Sequence, residues 1–182
     1  MKRIESALDQ KRTQSLKRLI PDLFTYKSVL YIGARNKRID YGDMFRENQY
    51  QITIVEIFKP NVKYLKTIKW IKDVIHADIN TFKTNNKYDI VFWWHGPEHI
   101  EKSKLQGIIS KLETFADVAV VLGCPWGDVV QANKDNNPYE RHISYLDCGD
   151  FESMGYKTEF IGPKDIMGSN ITAVKYIKKD TT

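Results

Sequence analysis

The chain has 182 residues, of which 42% are hydrophobic and 28% charged, with a formal net charge of +5. That composition suits one domain with a buried core and excludes a disordered tail. It holds no apolar run near the roughly 20 residues of a membrane helix, no secretory apolar segment at its start, and too few cysteines, Cys124 and Cys148, for a disulfide scaffold, so a reducing, cytoplasmic setting is expected.

Residues 2–20 read as an amphipathic helix with Ile4, Leu8, Leu16, Leu19 and Ile20 as its apolar positions and Pro21 as its stop. Its polar middle, from Asp9 to Ser15, predicts a helix lying on the surface. Residues 1–40 carry ten Lys/Arg against four Asp/Glu, so the positive excess sits here. A solvated helix face is the plainer reading; contact with an anionic partner, either nucleic acid or a phosphorylated substrate, is the sharper one. Interleaved aromatics of a single-strand binding groove are missing, so nucleic acid is not favoured.

Ser28–Gly33 is a short apolar run and reads as a buried strand. Residues 40–48 fit a short helix. Gln51–Ile57 is rich in β-branched residues and reads as a second strand. Pro60 suits the first turn of a helix running to about Lys69. Asp73–His76 and Tyr88–Trp94 read as the third and fourth strands. A helix from about His99 to Phe115 follows, then a nearly continuous apolar strand from Ala116 to Gly123. Residues 124–146 are loop-like. Asp147 caps a helix reaching Met154, and Gly155 ends it. Tyr156–Ile161 and Asn170–Ile177 read as two last strands joined by a Gly/Pro-rich loop.

Alternating strands and helices require right-handed crossovers and a parallel sheet. The final pair, with no helix between, makes a hairpin with one antiparallel strand. The expected architecture is a Rossmann-like, doubly wound α/β three-layer sandwich with a seven-stranded, mostly parallel sheet. Residues 1–26 form a helix appended to a core of residues 27–182.

Ligands of such a sheet sit beyond the carboxyl ends of its strands. Glu56 ends the second strand, 23 residues after Gly33. A carboxylate there accepts both hydroxyls of a ribose; the competing reading is an acid at the start of the next helix. Asp78 follows the third strand, as an acceptor for an adenine amine or as a plain turn cap. A dinucleotide fingerprint needs glycines at 33, 35 and 38, whereas the chain has Gly33, Arg35 and Arg38. That counts against a nicotinamide-dependent oxidoreductase.

These residues resemble a family. Val29-Leu-Tyr-Ile-Gly-Ala34 is similar to the first motif of class I S-adenosylmethionine-dependent methyltransferases. Ile54-Val-Glu-Ile57 resembles the second, His76-Ala-Asp78 the third, and Tyr88–Ile100 the fourth, in the branch with Glu-His-Ile after the strand. Arg141-His-Ile-Ser-Tyr145, Asp150-Phe151 and Met154-Gly-Tyr156 resemble the segment through the family's last helix. The resemblance spans about residues 27–178. The departure is in the first motif. Tyr31 holds the usual acidic position, and Arg35 and Lys37 lie where glycine is usual.

The resemblance implies S-adenosylmethionine as cofactor, held by Gly33, Arg35, Glu56, Asp78 and Trp94. Arg35 either pairs with the cofactor carboxylate or fills the site. Trp94 either stacks on the adenine or packs in the core. The acceptor is expected to be a small molecule or a glycan, and the transfer an in-line displacement that mainly needs positioning. His95 follows the fourth strand, where the reactive methyl is expected, and His142 sits in the loop over the same cleft. Both are candidate catalytic bases. Glu98, His99, Trp126 and Tyr139 are expected at the acceptor, with plainer alternatives as helix-start residues for the first two. The four histidines show no zinc-type spacing, so no metal is expected. A non-catalytic relative that keeps the fold is the competing functional reading.

Overall fold

The structure, a computed structural model, describes residues 7–35 and 39–177. Ile4, Lys37 and Arg38 lie outside them, and the side chain of Leu8 is likewise not described. Along the chain run α1 (Ala7–Leu19), β1 (Ser28–Ile32), α2 (Gly42–Glu47), β2 (Gln51–Glu56), α3 (Lys59–Leu65) and β3 (Asp73–His76). Then follow β4 (Tyr88–Trp94), α4 (Lys102–Glu113), β5 (Ala116–Pro125), α5 (Cys148–Glu152), β6 (Lys157–Ile161) and β7 (Asn170–Tyr176).

The seven strands form one sheet in the order β3-β2-β1-β4-β5-β7-β6. All pairings are parallel except those of β7, which is antiparallel to both β5 and β6. The chain winds outward from β1 to β3, then returns to place β4 on the other side of β1. That reversal opens a crevice at the carboxyl ends of β1 and β4.

Strand side chains alternate between two covered faces. On one, Leu30, Val91, Trp93 and Val120 meet Leu105, Ile109 and Leu112 of α4 and Phe151 of α5. On the other, Val29, Tyr31, Phe92 and Trp94 meet Leu16 and Ile20 of the first helix segment, Phe45 of α2 and Leu65 of α3. The two adjacent tryptophans therefore serve opposite faces of the sheet.

Several boundaries differ from the sequence expectation. The segment after β4 is a single tight 3-10 turn over Pro97–His99, Ile100 is extended, and α4 begins only at Lys102. The hydroxyl of Ser144 bonds to the Ile100 carbonyl and so takes up a group a longer helix would use. The α3 helix stops at Leu65 rather than near Lys69. β5 continues beyond Gly123 to Pro125 because β7 still pairs with it there, Asn170 opposite Pro125.

The polar middle of α1 does not simply face water. Arg12 and Ser15 are buried, with Leu16. Arg12 donates to the Asn170 side chain and to the Gly168 carbonyl at 3.4 Å, at the amino end of β7. Arg18 pairs with Glu159 of β6. Part of the basic excess is therefore spent inside the molecule, tying α1 to the terminal hairpin.

Candidate functional site

A cavity of about 750 Å³ opens beyond the carboxyl ends of the central strands. That volume falls within the usual range of small-molecule pockets. Gly33, Glu56, Asp78, Trp93 and His95 border it from the sheet side, and Tyr139 from the 124–146 loop.

Glu56 ends β2 with only 4% of its surface exposed. Its Oε2 accepts the backbone N–H of Ala34 at 2.8 Å, and Oε1 accepts that of Phe58 at 2.6 Å. Burial raises its carboxyl above the ordinary value, against the lowering effect of those two N–H groups. The carboxylate is thus locked in one rotamer at the cavity floor. Gly33 has φ +69, where a side chain is strained, and its backbone N–H holds the Val55 carbonyl at 2.8 Å. A Cβ at this position would meet nothing within 4 Å, so glycine here serves the turn and leaves open space in front of it.

Arg35 crosses to the opposite wall. Its guanidinium lies 3.3 Å from Asp135 and 3.6 Å from Glu140 in the 124–146 loop. Asp78 borders the cavity and also caps its own turn, with Oδ1 accepting the Asn80 backbone N–H at 2.8 Å. Of the two sequence readings of Asp78, the turn cap is the one this bond shows.

Two aromatic expectations are corrected. Trp94 reaches the cavity edge, but its ring is packed by Tyr41, Phe92 and the bare Cα of Gly123, and it is 2% exposed. No open face remains for a stacked adenine. Its indole N–H has no partner among the described residues. Trp126 does not border the cavity. It packs on Phe160, centroids 4.1 Å apart, and donates to Asp147 at 3.0 Å. The hairpin holds that ring; the loop around it was the only context visible in sequence.

Three of the four histidines converge on one carboxylate. His95 sits at φ +51 directly after β4, its N–H on the Gly123 carbonyl at 2.8 Å. Its Nδ1 lies 3.3 Å from Oε1 of Glu98. Glu98 is 2% exposed, and its main-chain carbonyl accepts the N–H groups of Ile143 and Ser144 at 2.9 and 3.1 Å. Those bonds draw His142 in from the loop. Nε2 of His99 and of His142 then stand 4.0 and 3.9 Å from Glu98 Oε1. Burial disfavours the Glu98 anion, but the His95 hydrogen bond and the fields of His99 and His95 outweigh it and hold the carboxyl below its usual value. Burial lowers the His142 imidazole below its ordinary value.

The fold brings together side chains that the sequence spacing keeps apart. Glu98, His99 and His142 offer one oxygen and two nitrogens, all within 4.8 Å of one another. The adjacency of Glu98 and His99 was legible; the approach of His142 was not, because it depends on backbone bonds across a long loop. Arg12 at the cavity border is likewise invisible in sequence, since its partner Asn170 is 158 positions away.

No family model and no curated protein sequence matches the chain. Solved structures do. Magnesium protoporphyrin IX methyltransferase from Synechocystis PCC 6803, with S-adenosylmethionine bound, superposes with a TM-score of 0.66 at 12% identity, covering 93% of this chain and 79% of that one. The N-methyltransferase NodS from Bradyrhizobium japonicum WM9 gives 0.66 at 11% identity, covering 96% and 99%. The N-terminal domain of EvdMO1, with S-adenosylhomocysteine bound, gives 0.65 at 13%, covering 95% and 82%. The chain shares the fold of these proteins.

Proposed function

We propose that the chain is an S-adenosylmethionine-dependent methyltransferase acting on a small-molecule acceptor, with a glycan hydroxyl as one member of that class. The observation that carries the reading is Glu56, a buried carboxylate fixed at the floor of the cavity where the strand order reverses. The shared fold of structures that hold this cofactor supports it.

The cavity fits the group. A carboxylate has about four lone-pair sites; on Glu56 the backbone N–H groups of Ala34 and Phe58 and the Asn61 side chain take three, leaving one acceptor for a ribose hydroxyl. The open space before Gly33 suits a chain approaching the first turn. Bound there, the cofactor supplies an electrophilic sulfonium methyl. The protein's part is to orient the acceptor and exclude water. Asp78, Glu56, His95, Glu98, His99 and Tyr139 all line the cavity; in this reading the first two serve the adenosine and the other four the acceptor. Of the two candidate bases, His95 borders the cavity directly after β4, with a ring nitrogen beyond the one that meets Glu98. Arg35 closes the cleft by holding the 124–146 loop, in place of the glycine usual there. We place the protein in the cytoplasm, in keeping with its two free cysteines.

Labelled-methyl transfer from S-adenosylmethionine to a panel of small-molecule acceptors tests the reading. Transfer that is lost in Glu56→Ala supports it. A chain that neither transfers nor binds the cofactor is the non-catalytic relative, which the arginine in the glycine loop favours.

A further inference from the structure

We propose that Glu98, His99 and His142 form a binding site for one divalent first-row transition cation, with zinc the best match to the donors. Three observations carry it. First, both imidazoles are set for ligation. Nδ1 of His99 donates to the Arg141 carbonyl at 2.9 Å, and Nδ1 of His142 donates to the Val129 carbonyl at 2.5 Å. A proton on each Nδ1 leaves the lone pair on each Nε2, and both Nε2 atoms face Glu98. A backbone acceptor on the far nitrogen is the usual support of a metal-bound histidine.

Second, with both imidazoles in the neutral form, the three groups meet without a proton between them. Two imidazole lone pairs and a carboxylate are acceptors only. At 3.9 and 4.0 Å they are too far apart for hydrogen bonds. Donors about 2.1 Å from a tetrahedral ion lie about 3.4 Å apart, so each imidazole need approach the Glu98 oxygen by only about half an ångström. Third, Glu98 Oε2 is fully buried and has no hydrogen-bond partner among the described residues. An anionic oxygen left without a donor is costly, and a cation relieves it.

The scaffold is stiff. The Glu98 carbonyl binds Ile143 and Ser144, and Ser144 binds Ile100, so both arms of the site are stitched together by backbone. Two imidazoles and one carboxylate match the three protein ligands of open zinc sites, which keep a position for an exogenous oxygen. All three residues border the cavity, so that position opens to the proposed acceptor. This last clause rests on the methyltransferase reading; the cation site itself does not.

The test uses the full chain, stripped with chelator and titrated with zinc chloride by calorimetry, without any adenosyl ligand. One equivalent should bind, and His99→Ala and His142→Ala should each weaken binding by at least roughly 100-fold, while His76→Ala, an imidazole outside the cluster, binds as the wild type does. Nitrogen chemical shifts of the wild-type imidazoles give a readout independent of any variant's folding: zinc should move Nε2 of His99 and His142. The absence of a saturable single site, binding that survives either cluster substitution, or unshifted Nε2 resonances overturns the proposal. S-adenosylhomocysteine binding measured on the same preparation keeps the two readings apart, since either result stands without the other.

Discussion

Glu56 Oε2 accepts the backbone N–H of Ala34 at 2.8 Å, joining the end of β2 to the turn that follows β1. One carboxylate thereby shapes the first turn and floors the cavity. Replacing Glu56 by Ala leaves that buried N–H, and that of Phe58, without their partner. An unsatisfied buried group costs about 1–3 kcal/mol, so Glu56→Ala should lower the urea midpoint. Glu56→Gln keeps an acceptor oxygen and should recover part of the loss. Both should weaken S-adenosylhomocysteine, the Ala variant more.

Gly123 is a packing position. A Cβ there would come within 2.0 Å of the Trp94 ring, which is hemmed in by Tyr41 and Phe92. Overpacking of this kind costs typically 1–3 kcal/mol, occasionally more. Gly123→Ala should melt earlier than wild type, with a visible change in near-UV circular dichroism from Trp94. An unchanged melting curve contradicts this packing.

Arg35 behaves as a strap. Its partners Asp135 and Glu140 lie across the cleft, and the pair with Asp135 is largely exposed. Exposed pairs contribute about 0–1 kcal/mol, so Arg35→Ala should leave global stability nearly unchanged. Amide exchange in residues 131–140 should become faster. Equal protection in variant and wild type contradicts a strap.

Asp147 sets a pH-dependent term at the start of α5. Its carboxyl is lowered to about 2, first by Lys164, then by the Trp126 indole, and it completes a capping box with Asp150. A folded-state value below the unfolded one stabilises the protein above the ordinary value of 3.8. That contribution fades as pH falls toward 2. Lys164→Ala should move the Asp147 titration, followed by carboxyl carbon shifts, upward. A midpoint that does not move contradicts the assigned cause.

Much of the frame is legible in sequence because strands covered on both faces leave unbroken apolar runs. Asp73–His76 and Tyr88–Trp94 read with the bounds the structure has. Glu56 and Gly33 are legible as well, since their places follow from strand ends alone. What escapes is set by long-range contacts. Ile100 interrupts a helical pattern because Ser144 binds its carbonyl. Trp126 turns to Phe160 on the hairpin, and Trp94 is enclosed by Phe92 of its own strand and by Tyr41 and Gly123 from two other segments. The histidine cluster depends on Arg141, 42 positions beyond His99. No local pattern encodes such distances.

The central claim is that the carboxylate at the end of β2 holds an adenosyl ligand. Calorimetric titration of S-adenosylhomocysteine into the wild-type chain and into Glu56→Ala, side by side, tests it most directly. The account predicts one site in the wild type and a loss of affinity of at least roughly tenfold, the value of one charge-assisted hydrogen bond, in the variant. No heat from the wild type at millimolar ligand, or equal affinity in both proteins, contradicts it.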